Sequence, residues 1–132
     1  MDVTKNIGTI LLVEDEIGLR KYVSKVLQRL GYNVLEASGG DAAALLFEEH
    51  AASIDLLLTD VIMPGMGGVE LSHRLRAICP DVKVLYMTGY DDGSLKERAD
   101  GAALLRKPFT SEALEREIRR FFQPRHHRVI PL

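Results

Sequence analysis

Only one cysteine, Cys79, occurs in the 132 residues, which excludes an internal disulfide and any thiolate metal cluster. Long apolar runs are missing too. No stretch approaches the roughly 20 residues that a membrane-spanning helix needs, and the opening Met1-Asp2-Val3-Thr4-Lys5 has no apolar core of signal-peptide length. Neither sign of charge is in large excess: 17 Lys and Arg stand against 19 Asp and Glu, a net charge of -2, so there is no basic field to attract nucleic acid. Internal repeats and low-complexity segments are absent as well. These absences lead us to expect a cytoplasmic protein with no nucleic-acid partner and no direct membrane contact. What is present, 46% hydrophobic and 27% charged residues, suits one globular domain with a real core.

The pattern along the chain alternates between two periods. Thr9-Ile10-Leu11-Leu12-Val13 is a fully apolar strand that runs into Glu14-Asp15-Glu16. Leu19, Val23, Val26, Leu27 and Leu30 then recur at helical spacing, and Gly31 is placed to end that helix as a left-handed cap. Asn33 to Ala37 is a second strand, followed by Ser38-Gly39-Gly40 as a turn and Asp41 as N-cap of a helix through about His50. Leu56-Leu57-Leu58-Thr59 is the third strand and delivers Asp60 just before Pro64-Gly65 turns the chain. A helix with Leu71, Leu75 and Ile78 inward is stopped by Pro80. Lys83 to Thr88 is the fourth strand, residues 94–99 a short helix, and Ala102 to Leu105 a fifth strand that leads to Lys107. A last helix starts near Thr110 or Ser111, buries Leu114, Ile118, Phe121 and Phe122, and ends before Pro124. Residues 1–8 read as a lead, 9–122 as the domain, and 123–132 as a mobile tail or the start of a linker.

Continuous apolar strands alternating with helices predict an α/β fold: a doubly wound, five-stranded parallel sheet with helices on both faces. Alternation alone does not order the strands. Taking the flavodoxin-like order 2-1-3-4-5 makes strands one and three neighbours at the switch point, where ligands bind beyond the carboxyl ends. Glu14, Asp15 and Asp60 then share one edge with Lys107. Three carboxylates repel unless cations join them, and all-oxygen ligands suit Mg²⁺. A dication and an ammonium would attract a phosphoryl group that a carboxylate could attack. Thr88, at the end of strand four, offers a hydroxyl to one phosphoryl oxygen.

Four motifs now resemble the receiver domain of two-component response regulators: Leu11-Leu12-Val13-Glu14-Asp15-Glu16, Thr59-Asp60-Val61-Ile62-Met63-Pro64-Gly65, Met87-Thr88-Gly89 and Lys107-Pro108-Phe109. The resemblance implies that Asp60 is the phosphoacceptor, that Asp15 binds Mg²⁺ directly and Glu14 through water, and that the Ile62 backbone carbonyl completes the protein's share of the ligands. It implies that Thr88 and Lys107 hold the phosphoryl group, that the Lys107-Pro108 bond is cis, and that Ile62 and Tyr90 flank the path of the hydrolytic water. It also implies a histidine kinase or histidine phosphotransfer protein as phosphoryl donor, and no catalysis beyond the domain's own phosphoryl transfer and dephosphorylation. Three departures stand out: Glu14 where aspartate is usual, Leu104 where a switching aromatic often sits, and a short span from Thr88 to Lys107.

Competing readings are weaker. A degenerate receiver serving as a constitutive docking module would not need all five site positions. An aspartyl phosphohydrolase needs a second acid two residues after the nucleophile, where Ile62 stands. Ser72-His73-Arg74-Leu75-Arg76 resembles a kinase phosphoacceptor box, but no nucleotide-binding lobe fits in this chain. His126-His127 reads as a solvated loop and Cys79 as a packing residue. Arg116, Arg119 and Arg120 read as a solvated face balanced by glutamates. Met87-Thr88-Gly89-Tyr90 and Arg106-Lys107-Pro108-Phe109-Thr110 look like receivers attached to hybrid sensor kinases, so the chain is a stand-alone receiver or a segment of a larger protein.

Overall fold

The computed structural model describes residues 7–89 and 102–122. Within them lie five strands, β1 (Thr9–Val13), β2 (Asn33–Ala37), β3 (Leu56–Asp60), β4 (Lys83–Thr88) and β5 (Ala103–Arg106). Four helices accompany them: α1 (Ile17–Arg29), α2 (Gly40–His50), α3 (Gly68–Ile78) and α4 (Ser111–Phe122). All pairings are parallel and the order is β2-β1-β3-β4-β5. The expected doubly wound sheet is therefore the observed one. The helix expected over 94–99 lies outside the described residues.

Strands β1 and β3 are buried along their whole length, because helices cover both of their faces. Alternate residues feed two cores. Leu11, Val13, Leu57, Val84 and Tyr86 point toward α2 and α3, where they meet Ala43, Phe47, Leu71 and Leu75. Ile10, Leu12, Leu58, Leu85 and Met87 meet Val23, Leu27, Leu114 and Ile118 of α1 and α4. Each such Leu or Ile, taken wholly out of water, contributes about 1.5–3 kcal/mol before the cost of ordering it. One buried polar pair interrupts the first core: Ser72 Oγ lies 2.6 Å from the Tyr86 hydroxyl. Ser72 donates its single proton to the Val69 carbonyl at 2.8 Å, so Tyr86 is the donor to Ser72.

Helix ends follow local chemistry. Gly31, at φ 102°, closes α1 as expected: its N–H bonds Gln28 and the Tyr32 N–H bonds Leu27, a Schellman arrangement. Glu16 caps the start of α1, accepting from the Gly18 and Leu19 N–H groups. Thr110 caps α4 by accepting from the Ala113 N–H at 3.0 Å. On α4, Arg119 pairs with Glu115 and Arg120 with Glu117, the balance expected for that face.

Three expectations need correction. Helix α2 starts two residues earlier than an Asp41 N-cap implies, with Gly39 as N-cap and Asp41 in the first turn. Ile78 sits at the last residue of α3, beyond the stripe formed by Leu71 and Leu75, and is 56% exposed. Strand β5 lies one residue further along, at Ala103–Arg106, because its pairing with β4 begins at Leu85 opposite Ala103.

Candidate functional site

The carboxyl ends of β1 and β3 are adjacent because Val13 pairs with Thr59, and each strand hands its next residue to the same edge. Glu14 and Asp60 are thereby brought together, with Asp15 beside them. One ligand oxygen from each of these three carboxylates lies within 4.8 Å of the others, close enough for a single cation to touch all three. Glu14 is only 1% exposed and Asp60 7%, whereas Asp15 faces solvent. Lys107, delivered by β5, bridges the buried two: its Nζ is 3.1 Å from Glu14 Oε1 and 3.3 Å from Asp60 Oδ1. The Lys107-Pro108 bond is cis, as the resemblance implies.

Charge explains the electrostatics of this group. Burial pushes the Asp60 carboxyl up; Lys107 pulls it back and Asp15 adds to the rise. Burial likewise raises Glu14, against the Glu16 N–H and Lys107. For Lys107 burial acts downward, yet its contacts with Glu14 and Asp60 prevail and raise it. Three ionised acids against one ammonium leave an excess of two negative charges, which one divalent cation would balance. An oxygen-only donor set of this size fits a hard ion such as Mg²⁺.

The remaining expected positions surround this centre. Thr88 is the buried last residue of β4, and its carbonyl accepts from the Lys107 N–H at 2.7 Å. Ile62 stands two residues past Asp60 with its side chain 66% exposed. Leu104 is half-buried against the α2 and α3 core and pairs with Tyr86 across the sheet. Tyr90 lies outside the described residues. His73 is exposed on α3, and Cys79 packs against the core at the end of the same helix.

Two contacts at this edge escape a reading of the sequence alone, although Gly65 to Gly68 reads there as a turn and helix start, which it is. Gly67 and Gly68 let α3 begin directly against the end of β3: an added Cβ would meet the Val61 carbonyl at the first and overlap the Asp60 carbonyl at the second. Arg20 donates from Nη1 to the Glu14 carbonyl at 2.7 Å, and its Nε is 3.4 Å from Glu36 Oε1 on β2. The only sequence signal for Arg20 is its place one turn into α1, on the side facing the acidic loop.

A doubly wound parallel sheet in the order 2-1-3-4-5, with three acids and a lysine at its switch point, defines a flavodoxin-like α/β domain. Within that class the chain belongs to the response regulator receiver domain family, whose model matches residues 10–119. It is 38% identical over 112 residues to the response regulator receiver protein CpdR of Brucella abortus, a match spanning 83% of this chain and 92% of that protein. It is 34% identical over 119 residues to the sensor kinase CckA of the same organism, across 88% of this chain but only 13% of the kinase. The crystal structure of the response regulator TrrA from Thermotoga maritima, in complex with Mg²⁺-BeF, superposes with a TM-score of 0.77 at 27% identity, covering 86% of this chain and 98% of that one. Among the described residues no helix is long and apolar enough to cross a membrane.

Proposed function

We propose that this receiver domain accepts a phosphoryl group on Asp60 from a phosphohistidine donor, with Mg²⁺, and signals by a change in surface conformation. The observation that carries the reading is Lys107 Nζ set between Glu14 and Asp60, with Asp15 completing a three-carboxylate group. In the transfer an Asp60 carboxylate oxygen attacks phosphorus, the P–N bond to the donor imidazole breaks, and the departing ring nitrogen takes up a proton. Bound Mg²⁺, held by Asp15 and Asp60 directly and by Glu14 through water, would neutralise phosphoryl oxygens. The Ile62 carbonyl would complete the ligands. Lys107 would release its hold on the Asp60 carboxylate and meet a phosphoryl oxygen from the opposite side, while the Thr88 hydroxyl donates to another.

The donor is a histidine kinase or a histidine phosphotransfer protein. Support comes from an open apolar hollow of about 450 Å³ beside Lys107, lined by Leu19, Gly89, Pro108 and Phe109, which suits the side chains around a partner's histidine. We assign this activity to residues 9–122, the span that matches most of CpdR and a small part of the much longer CckA.

Incubation with acetyl phosphate and Mg²⁺ should add one base-labile phosphate, detectable by phosphate-affinity electrophoresis. Asp60→Asn should abolish it. A protein that binds Mg²⁺ yet takes up no phosphate from acetyl phosphate or from phosphohistidine donors would be a docking module instead, and label persisting on His73 in Asp60→Asn would refute the assignment of the acceptor.

A further inference from the structure

Every polar atom of Glu14 is engaged. Its N–H donates to the Ala37 carbonyl on β2 at 3.1 Å, Oε1 faces Lys107, Oε2 accepts from the Glu16 N–H at 3.0 Å, and its carbonyl accepts from Arg20 Nη1 at 2.7 Å. The last bond reaches beyond Glu14. Its carbonyl and the N–H of Asp15 share one rigid peptide plane, so a donor that fixes the carbonyl also fixes how Asp15 leaves that plane. Asp15 is exposed, and among the described residues no hydrogen bond holds its carboxylate. Its direction therefore depends on its backbone.

Arg20 is itself well fixed. Its side chain is 14% exposed, its N–H bonds the Glu16 carbonyl at 3.0 Å, and its Nε rests 3.4 Å from Glu36 Oε1. A guanidinium presents its donors in a planar fork. Holding Nε against Glu36 on the edge strand thus aims Nη1 at the acidic loop.

We propose that Arg20 is a positioning residue for the cation site: it holds the Glu14-Asp15 peptide in place, and so aims the Asp15 carboxylate before any ion binds. The inference rests on the Mg²⁺ site proposed above. It has a distinctive sign. Removing a positive charge from beside an acidic site should by charge alone tighten Mg²⁺ binding; misaiming Asp15 should weaken it. An arginine that merely tied α1 to β2 would alter stability and leave affinity unchanged or improved.

The test is an NMR titration with Mg²⁺ of the wild type, Arg20→Met, Arg20→Lys, Asp15→Asn and the double variant Arg20→Met with Asp15→Asn. Arg20→Met should weaken Mg²⁺ about tenfold, at the lower end of what groups orienting metal ligands contribute. The same substitution should add less than about twofold once Asp15 is already Asn, because two changes acting through one ligand are not additive. Arg20→Lys, which keeps the charge and alters the fork, should fall between wild type and Arg20→Met, and it carries the test if Arg20→Met does not fold. Affinity equal to or tighter than wild type in the Arg20 variants, or full multiplication of the two losses in the double variant, would overturn the role of Arg20. Absence of any Mg²⁺ binding by the wild type would instead remove the metal site, and this inference with it.

Discussion

A methyl group on Gly68 would overlap the carbonyl oxygen of Asp60, the residue at the centre of the acidic group. The Gly68 N–H bonds the Val61 carbonyl at 2.8 Å, so the start of α3 is drawn tightly against the end of β3. Alanine at this helical position would gain up to about 1 kcal/mol of helix propensity over glycine. The clash is with backbone, which cannot turn aside as a flexible side chain can. We expect the clash to win. Gly68→Ala should lower the unfolding free energy by about 1–3 kcal/mol, the usual cost of overpacking, in urea titrations followed by circular dichroism. A variant as stable as wild type would show that the β3–α3 junction yields freely.

Glu36 makes a prediction about pH. Burial would raise its carboxyl, but the Ser24 hydroxyl and the charges of Lys21 and Arg20 outweigh that and hold it below the ordinary value of 4.5. Lys21 Nζ and Arg20 Nε come within 3.1 and 3.4 Å of Oε1, yet no aligned hydrogen bond reaches that oxygen, so we attribute the pull there to charge. A carboxyl depressed in the folded state stabilises it above the unfolded pKa and loses that contribution as pH falls through the folded one. Glu36→Gln should therefore be less stable than wild type at pH 7, and the gap should close only at an acid pH below the depressed folded pKa. Urea titrations at both pH values check this; a gap that persisted in acid would assign Glu36 a packing role.

Much of this was legible in the sequence, for physical reasons. Strands β1 and β3 are continuous apolar runs because both of their faces are covered, and their exits are marked by acids that no core accepts unpaired. Gly31 is readable as a cap because only glycine takes that φ cheaply. Ile78 shares the helical spacing of Leu71 and Leu75 and so invites an inward reading, but the chain leaves α3 there before the sheet can cover it. Arg20 is harder still. Its partners are a backbone carbonyl and a carboxylate on another strand, and backbone acceptors leave no mark in side-chain identity. The closeness of Gly68 to Asp60 is hidden for the same reason.

The metal ligands should rank unequally. Glu14 already spends Oε1 on Lys107 and Oε2 on the Glu16 N–H, whereas the Asp15 carboxylate faces solvent. Asp15→Asn should therefore weaken Mg²⁺ more than Glu14→Gln does, measured by calorimetric titration. Mg²⁺ should also raise the wild type's unfolding temperature, because it binds the folded state, and the shift should shrink in Asp60→Asn. The opposite order of the two substitutions would place Glu14 in direct contact with the ion.

The phosphorylated form should be long-lived for a receiver. Hydrolysis needs a water in line with the bond from Asp60 to phosphorus, and the resemblance puts Ile62 beside that path. Its side chain is 66% exposed, so it is free to stand over the approach, and it has no group that could orient a water by hydrogen bonding. Positioning of a nucleophile often contributes ~10²-fold or more, so even partial restoration should be visible. Ile62→Asn, which adds an amide at an exposed position and disturbs no core contact, should shorten the phosphoryl lifetime about tenfold, corresponding to ~1.4 kcal/mol in the barrier. Decay of the isolated phosphoprotein in Mg²⁺ reads this directly. An unchanged or longer lifetime would mean that Ile62 does not govern access of water to Asp60.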